Sequence, residues 1–270
     1  MLKTTRQLKS FKILMIGDAC QDYYYFGNIE NFCFEERPLK KEGTPVLKVD
    51  ETIEKPGMSL NVLENLLKLN QRVDHYHNKA LIKKIRIIKK KQNGIDHIVR
   101  VDIDDNVSAM DSETLKNIDL KKYDCIMISD YDKGYVNNKL INHVVNNFKG
   151  EIFVDSKKTD LSSFENCIIK INEHEADLVT KYPDDFELIV TLGKRGASWN
   201  NKIFPAAECK EVKDICGAGD TFFASFVIAY MHTKDYSKSI NIANECTTQV
   251  LKTVGNYHPD INKIKSLICN

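Results

Sequence analysis

No stretch of this sequence approaches the ~20 consecutive apolar residues that a membrane-spanning helix requires. The basic residues 1–10 are not followed by an apolar run long enough for an export signal. Both gaps point to a cytoplasmic protein with no membrane partner. Charge of one sign is missing too. Lys and Arg total 39 against 38 Asp and Glu, a net charge of +1, so the basic footprint of a nucleic-acid-binding domain is lacking. The one locally basic run, residues 83–91, reads as a solvated strand face. There is no low-complexity linker and no internal repeat, which excludes solenoids and strings of tethered modules. Eight cysteines are present, yet none forms a C-x-x-C pair and their spacing is irregular. That argues against a clustered zinc site and for buried free thiols in a reducing compartment.

What is present is the composition of an ordinary soluble enzyme, with 42% apolar and 29% charged residues. A chain of 270 residues forms one large α/β domain or two small ones. It can bury about 70–75% of its unfolded surface without a disulfide or structural metal. Short apolar runs at residues 12–16, 125–128, 152–154, 168–171 and 188–190 read as buried strands, with helical stretches at 59–69, 138–147 and 173–181. This alternation predicts a parallel sheet covered on both faces, with ligands gathering at the carboxyl ends of its strands. Residues 45–50 and 96–102 instead alternate apolar with polar, and the strand-like run 84–91 joins the second of these through Asn93-Gly94. Asn-Gly between two such runs signals a hairpin, because both central residues take positive φ. A small antiparallel β lid is therefore expected, built from pieces far apart in sequence. Leu60, Leu63 and Leu67, with Val62 and Leu66, mark the core face of the 59–69 helix. His75 and His77 share a strand face without a third ligand nearby and read as surface residues.

The stretch that carries chemistry is Asp214-Ile215-Cys216-Gly217-Ala218-Gly219-Asp220-Thr221, followed by an apolar run long enough for a buried helix. Glycines at 217 and 219 let the backbone approach a ligand closely. A glycine-rich turn opening a helix presents free N–H groups of Gly217, Ala218 and Gly219 and the positive end of the helix dipole, which suits an anion. The Asp220 carboxylate in the first turn is placed to accept a hydroxyl proton. Anion stabilisation and proton removal are the two tasks of phosphoryl transfer. The same string also suits an Asp that merely caps a helix after a tight turn. It is no P-loop, since no Gly-Lys-Ser/Thr follows, and Phe222 breaks a Gly-x-Gly-x-x-Gly pattern.

The segment resembles the D-x-x-G-A-G-D signature of the ribokinase-like (PfkB) carbohydrate kinases. Other pieces occur in that family's order: Gly17-Asp18 and Asp22; Pro56-Gly57-Met58-Ser59-Leu60-Asn61, similar to P-G-G-x-x-N; Asn172-Glu173-His174-Glu175, similar to N-x-x-E; Thr191-Leu192-Gly193-Lys194-Arg195-Gly196, similar to T-x-G-x-x-G; and Ala243-Asn244. The resemblance implies a three-layer α/β/α sandwich with a mostly parallel central sheet and a small β lid. It implies one kinase unit over residues 1–270, with lid strands from about 45–50 and 84–102. ATP and Mg²⁺ are the implied cofactors. Asp220 would be the catalytic base and Gly217, Ala218 and Gly219 the anion hole. Asn172, Glu175, Thr191, Gly193, Gly196 and Asn244 would face the nucleotide, with Glu175 reaching magnesium through water. Asp22, Gly57 and Asn61 would hold the acceptor, near which Tyr23, Tyr24, Tyr25 and Phe26 would stack on a sugar or pack under the lid.

Within the family, Asp22-Tyr23-Tyr24, Ser129-Asp130-Tyr131-Asp132-Lys133-Gly134 and Asp155-Ser156-Lys157 resemble the bacterial kinases of heptose 7-phosphate. That likeness places Arg37, Lys133 and Lys157 near phosphate groups and implies a homodimer through the lid, whose strand edges invite pairing. The chain departs from the family at Met58, where a second glycine is usual, and between Asn70 and Lys83, where a strand and a helix are usual. The second departure predicts a main sheet short of one edge element. A kinase for fructose, ribose or a nucleoside, and a binding module that keeps the fold without the activity, are the competing readings.

Overall fold

The side chains of the body strands alternate between two apolar layers. The computed structural model describes residues 8–27, 47–91, 94–209, 215–252 and 258–269. The chain runs β1 (Lys12–Gly17), β2 (Ala19–Gly27), β3 (Val49–Met58), α1 (Ser59–Lys68), β4 (Arg72–His77), β5 (Ile82–Lys91), β6 (Gly94–Ile103), α2 (Ser112–Lys116), β7 (Cys125–Asp130), α3 (Asn138–Asn147) and β8 (Glu151–Ser156). It continues through β9 (Cys167–Asn172), α4 (Glu173–Leu178), β10 (Phe186–Thr191), β11 (Ala197–Trp199), β12 (Lys202–Phe204), α5 (Ala218–Thr233), α6 (Tyr236–Leu251) and α7 (Ile261–Cys269). Eight strands form the main sheet in the order β12-β11-β10-β9-β8-β7-β1-β4. Neighbours from β4 to β10 are parallel, and β11 and β12 add an antiparallel edge.

Ile13, Met15, Cys125 and Met127 face one side, where they pack with residues of α1, α5, α6 and α7. Leu14, Ile16, Ile126 and Ile128 face the other, against residues of α2, α3 and α4. Burial on both faces is why each strand reads as an unbroken apolar run. The result is the expected three-layer sandwich with a mostly parallel sheet. Helix α5 is buried along residues 220–230, as an all-round apolar helix must be. Among the described residues no helix is long and apolar enough to cross a membrane.

The second sheet has the order β3-β2-β5-β6. β2 pairs antiparallel with β3 and parallel with β5, and β5 pairs antiparallel with β6. The strand period of two gives it unlike faces. Asp22, Tyr24, Lys84 and Arg86 line a cavity against the body. Their sequence neighbours Tyr23, Tyr25, Ile85 and Ile87 lie on the opposite face, in register with Val99 and Val101 of β6.

Several expectations are corrected. The lid strand expected at 45–50 is β3, at Val49–Met58; Pro45 and Val46 lie outside the described residues, as do Arg37, Asn93, Asp214 and Cys33. β2, not foreseen as a strand, is the lid's centre because its aromatic and β-forming residues pair on both sides. The main sheet keeps its edge: β4 pairs along β1 and leads directly to the lid, with no helix between them. Leu67 is exposed at 53%, and the core face of α1 is Val62, Leu66 and the polar pair Asn61 and Asn65. His75 and His77 are half-buried, with rings 4.7 Å apart. Burial, reinforced by His77, pulls the His75 imidazole down to about 3.

Phe226 in α5 is fully buried, edge-on to Phe153 at 6.2 Å and stacked with Tyr230 at 5.9 Å. Phe226→Ala is expected to lose about 3–5 kcal/mol of stability, read from urea unfolding. A loss under about 1 kcal/mol would mean that this helix is not the core of the body.

Candidate active site

Helix α5 starts at Gly217, whose φ of 78° lies in the left-handed region that glycine occupies without strain. The turn before it closes through the Ala218 amide, which donates to the Ile215 carbonyl at 3.3 Å. The amides of Gly219 and Asp220 stand in the first turn, where no intrahelical acceptor exists. Asp220 is 6% exposed. Its Oδ2 accepts from Asn61 Nδ2 at 2.7 Å and its Oδ1 from the Tyr131 hydroxyl at 2.8 Å. Burial lifts this carboxyl to about 6; Asp155 pushes the same way, while Asn61, Tyr131 and Lys170 hold it back.

Two cavities meet at this carboxylate. One, of about 730 Å³, is lined by Asp155, Lys157, Lys170, Asn172, Glu175, Thr191, Gly193, Gly196, Gly219 and Asn244 among others. The other, of about 150 Å³, lies under the lid and is lined by Asp22, Lys55, Gly57, Met58, Asn61, Lys84 and Arg86 among others. Tyr131, Gly217 and Asp220 line both.

In the larger cavity, Asn172 and Glu175 form a capping box on α4. Glu175 also accepts from Lys157 Nζ at 2.6 Å. Burial works against the charge on Glu175, but Lys157 and the Asn172 amide prevail and hold it below the usual range. Lys170 is buried and pairs with Asp155, its cross-strand neighbour, at 2.8 Å. Burial opposes charge on Lys170, and Asp155 more than offsets it. The ammonium stands over the start of α5, 3.3 Å from where a β-carbon on Gly219 would be. Asn244 Nδ2 donates to the carbonyl of Phe204 at 2.9 Å. Among the described residues no cluster of three His, Cys, Asp or Glu side chains forms a metal site by itself. The carboxylate of Glu175 is a hard oxygen donor of the kind a hydrated magnesium ion accepts.

In the smaller cavity Asp22 is ion-paired to Arg86 across the lid. Gly57 gives that carboxylate its space: a β-carbon there would fall 2.2 Å from Asp22 Oδ2 and 2.5 Å from Cys20 Sγ. Lys84 is buried, with its ammonium 5.5 Å from the centre of the Tyr131 ring, and burial lowers it. Met58 holds φ at 54°, so its backbone takes a conformation that favours glycine although the residue is methionine. Its side chain packs with Cys20 and Ile82 below the cavity.

Asp18, at the end of β1, anchors the loop that carries Tyr131. It accepts from the amides of Tyr131, Lys133 and Tyr135 at 2.7, 3.3 and 3.2 Å. Burial raises its carboxyl against these three amides. The neighbouring Asp130 is lifted to about 6 by burial, which outweighs Lys158 and the Ser156 hydroxyl.

The candidate residues are thus brought together with two exceptions among those described. The Lys133 ammonium is tied to Asp105 at 2.5 Å and lines neither cavity. Lys157 lies beside the larger cavity, not the one under the lid. Cations that the sequence reading assigned to solvent, Lys84 and Arg86, occupy the lid side instead. Lys170, Asp155 and Tyr131 were also missed as site residues. The alternation of residues 84–87 carried a signal for Lys84 and Arg86, since charges two positions apart mark one sheet face.

Fold and site together define a ribokinase-fold protein. The structure resembles that of Arabidopsis thaliana ribokinase complexed with ribose and ATP, with a TM-score of 0.67 and 16% identity over 96% of this chain and 99% of that one. It equally resembles phosphofructokinase-2 from Escherichia coli in complex with potassium, with a TM-score of 0.68 and 14% identity over 96% and 100% of the two chains. Residues 165–263 match the family model of the pfkB family carbohydrate kinases. The chain is similar to the bifunctional protein HldE of Campylobacter curvus, at 26% identity over 96% of this chain and 65% of that protein. The HldE of Sulfurimonas denitrificans is 28% identical over the same shares. This chain thus spans about two thirds of those relatives' length. The alignments run to 313 and 310 positions, longer than the chain itself, so the relatives carry insertions that this chain lacks.

Breaking the Lys170–Asp155 pair from one side leaves a buried charge alone. Lys170→Met is expected to lose about 3–5 kcal/mol, and adding Asp155→Leu to recover much of it. Chemical unfolding of the single and double variants checks this; equal stability of the Lys170→Met variant and the wild type would contradict it.

Proposed function

We propose that this chain is an ATP-dependent kinase that phosphorylates a hydroxyl of a sugar phosphate, with heptose 7-phosphate as the favoured acceptor. The observation that carries the reading is the place of Asp220: one buried carboxylate at the mouth of α5, on the wall common to two cavities. The larger cavity would take ATP, between the T-x-G-x-x-G turn and Asn244. The smaller would take the acceptor. Asn61 and Gly57 border it, and Lys55, Lys84 and Arg86 give it a cationic lining suited to a phosphorylated sugar. The resemblance to heptose-7-phosphate kinases and the similarity to HldE proteins support the choice of acceptor. The two sheets would act as one kinase unit of body and lid.

In the reaction, the acceptor oxygen forms a bond to the terminal phosphorus of ATP as the bond to the ADP oxygen breaks. The acceptor proton passes to Asp220. The first-turn amides and the Lys170 ammonium lie where charge accumulates on the phosphoryl oxygens. Bound with the nucleotide, Mg²⁺ would neutralise phosphate charge, held through water by Glu175 with Asn172 beside it. Asp220→Asn is expected to lower turnover by about 10³-fold or more, with nucleotide affinity retained. In the wild type, kcat/KM should fall as pH drops through about 6, because the base works only when ionised. Normal turnover by the Asn variant, measured by ADP release, would remove the mechanism.

The lid would also join two copies of the chain. Val99 and Val101, on its outer face, are exposed at 51% and 43%, and β6 is an edge strand. A second copy presents the same apolar face and edge, which a two-fold contact would cover. Val99→Lys with Val101→Lys should convert the protein to a monomer in sedimentation. A wild type that is monomeric at micromolar concentration would overturn the dimer and leave the kinase reading in place.

A further inference from the structure

Both oxygens of the proposed base are already engaged. Asn61 holds Oδ2 from helix α1, a rigid and buried support. Tyr131 holds Oδ1 from the loop after β7, through a phenol that turns about its own side-chain bonds. The Tyr131 ring is flanked by two ammonium groups, Lys157 at 4.9 Å and Lys84 at 5.5 Å from its centre. Lys157 belongs to the nucleotide side and Lys84 to the lid. Burial, with Asp220 next, keeps the phenol protonated and therefore a donor.

An acceptor hydroxyl in the smaller cavity must reach one of these two oxygens. Displacing Asn61 would move a buried helix; displacing Tyr131 needs a side-chain rotation. We propose that Tyr131 senses the acceptor: without it, the phenol occupies the place on Asp220 that the acceptor hydroxyl takes, and so denies that place to water. The idea rests on the kinase reading above. If the place stood open with ATP bound, water would fill it. Its oxygen would bond to the terminal phosphorus, the bond to ADP would break, and Asp220 would take the proton, giving ADP and phosphate. A kinase with two adjoining cavities needs a device against this loss, and the phenol sits on the wall between them.

Tyr131→Phe keeps the ring between its two ammonium groups and removes the hydroxyl alone. Acceptor-free ATP hydrolysis should rise by about fivefold or more and vanish when Asp220→Asn is added. In kcat/KM, which reports the free enzyme, the acid limb of that hydrolysis should lie at higher pH than the acid limb of wild-type phosphoryl transfer, because the free variant lacks the Tyr131 hydrogen bond that lowers the Asp220 carboxyl. The other titratable groups acting on Asp220, namely Asp155 from β8, Lys170 from β9 and Cys20 from β2, are unchanged in this comparison. Tyr131→Leu, a second variant without the hydroxyl, should show the same rise. Acceptor-free hydrolysis within about twofold of wild type, in variants that still phosphorylate the acceptor, would overturn the sensing role and leave the kinase standing. If neither the wild type nor the variants consumed ATP, with or without heptose 7-phosphate, the kinase reading and the sensing role would both fall.

Discussion

The charge on Asp220 is the constraint around which this structure is arranged. An isolated carboxylate this deeply buried would take up a proton, and a fully solvated one would be a weak base near its ordinary value of about 4. The site lies between these limits. Burial and Asp155 raise the carboxyl; Asn61, Tyr131 and Lys170 lower it. The positive end of α5 acts in the lowering direction as well. The resulting value of about 6 suits a general base at neutral pH, ionised yet still willing to take a proton. Removing any one support shifts that balance, which is why residues from α1, the loop after β7, β8, β9 and α5 must converge within a few ångströms.

That convergence depends on a row of buried acids along the carboxyl edge of the sheet, each satisfied in its own way. Asp18 takes three amides from one loop. Asp130 takes the hydroxyl of Ser156, its cross-strand partner, and the Lys158 ammonium at 3.5 Å. Asp155 takes Lys170, again a cross-strand partner. Parallel register sets these pairings, so strand order and site chemistry are one design. The loop fixed by Asp18 is the one that delivers Tyr131 to Asp220.

What could be read beforehand was local. The Gly217–Asp220 turn and the Asn172–Glu175 box span only a few residues, so spacing alone brings their groups together. The strands of the body were legible because burial on both faces writes an apolar run. Contacts that join distant segments were not: Asn61 and Asp220 are 159 residues apart, and Tyr131 and Asp220 are 89 apart. The lysine-rich run of β5 misled for a related reason. Alternation shows that Lys84 and Arg86 share a face, but not that the face turns inward. An ordinary half-buried strand turns its apolar side in, and here the cavity under the lid reverses the rule. Lys133 misled in the other direction, since a motif likeness cannot foresee that Asp105 captures its ammonium. The short segment after Asn70 suggested a lost edge, yet six residues suffice for a strand, and it is the helix that is missing.

The reversed lid has a consequence for specificity. Its inner face carries the ion pair and lysines that would select the acceptor, and its outer face carries Ile85, Ile87, Val99 and Val101. On β5 the two sets alternate with a period of two, Lys84 and Arg86 inward, Ile85 and Ile87 outward. A one-residue slip in pairing would bury the apolar set over the cavity and expose the charges. On the inner face the register is pinned by Asp22 pairing with Arg86. In the proposed kinase, acceptor selection and any covering of the outer face would therefore be coupled through β5. A partner sealing the outside would stabilise the arrangement of charge on the inside through the shared strand, with no contact to the site itself.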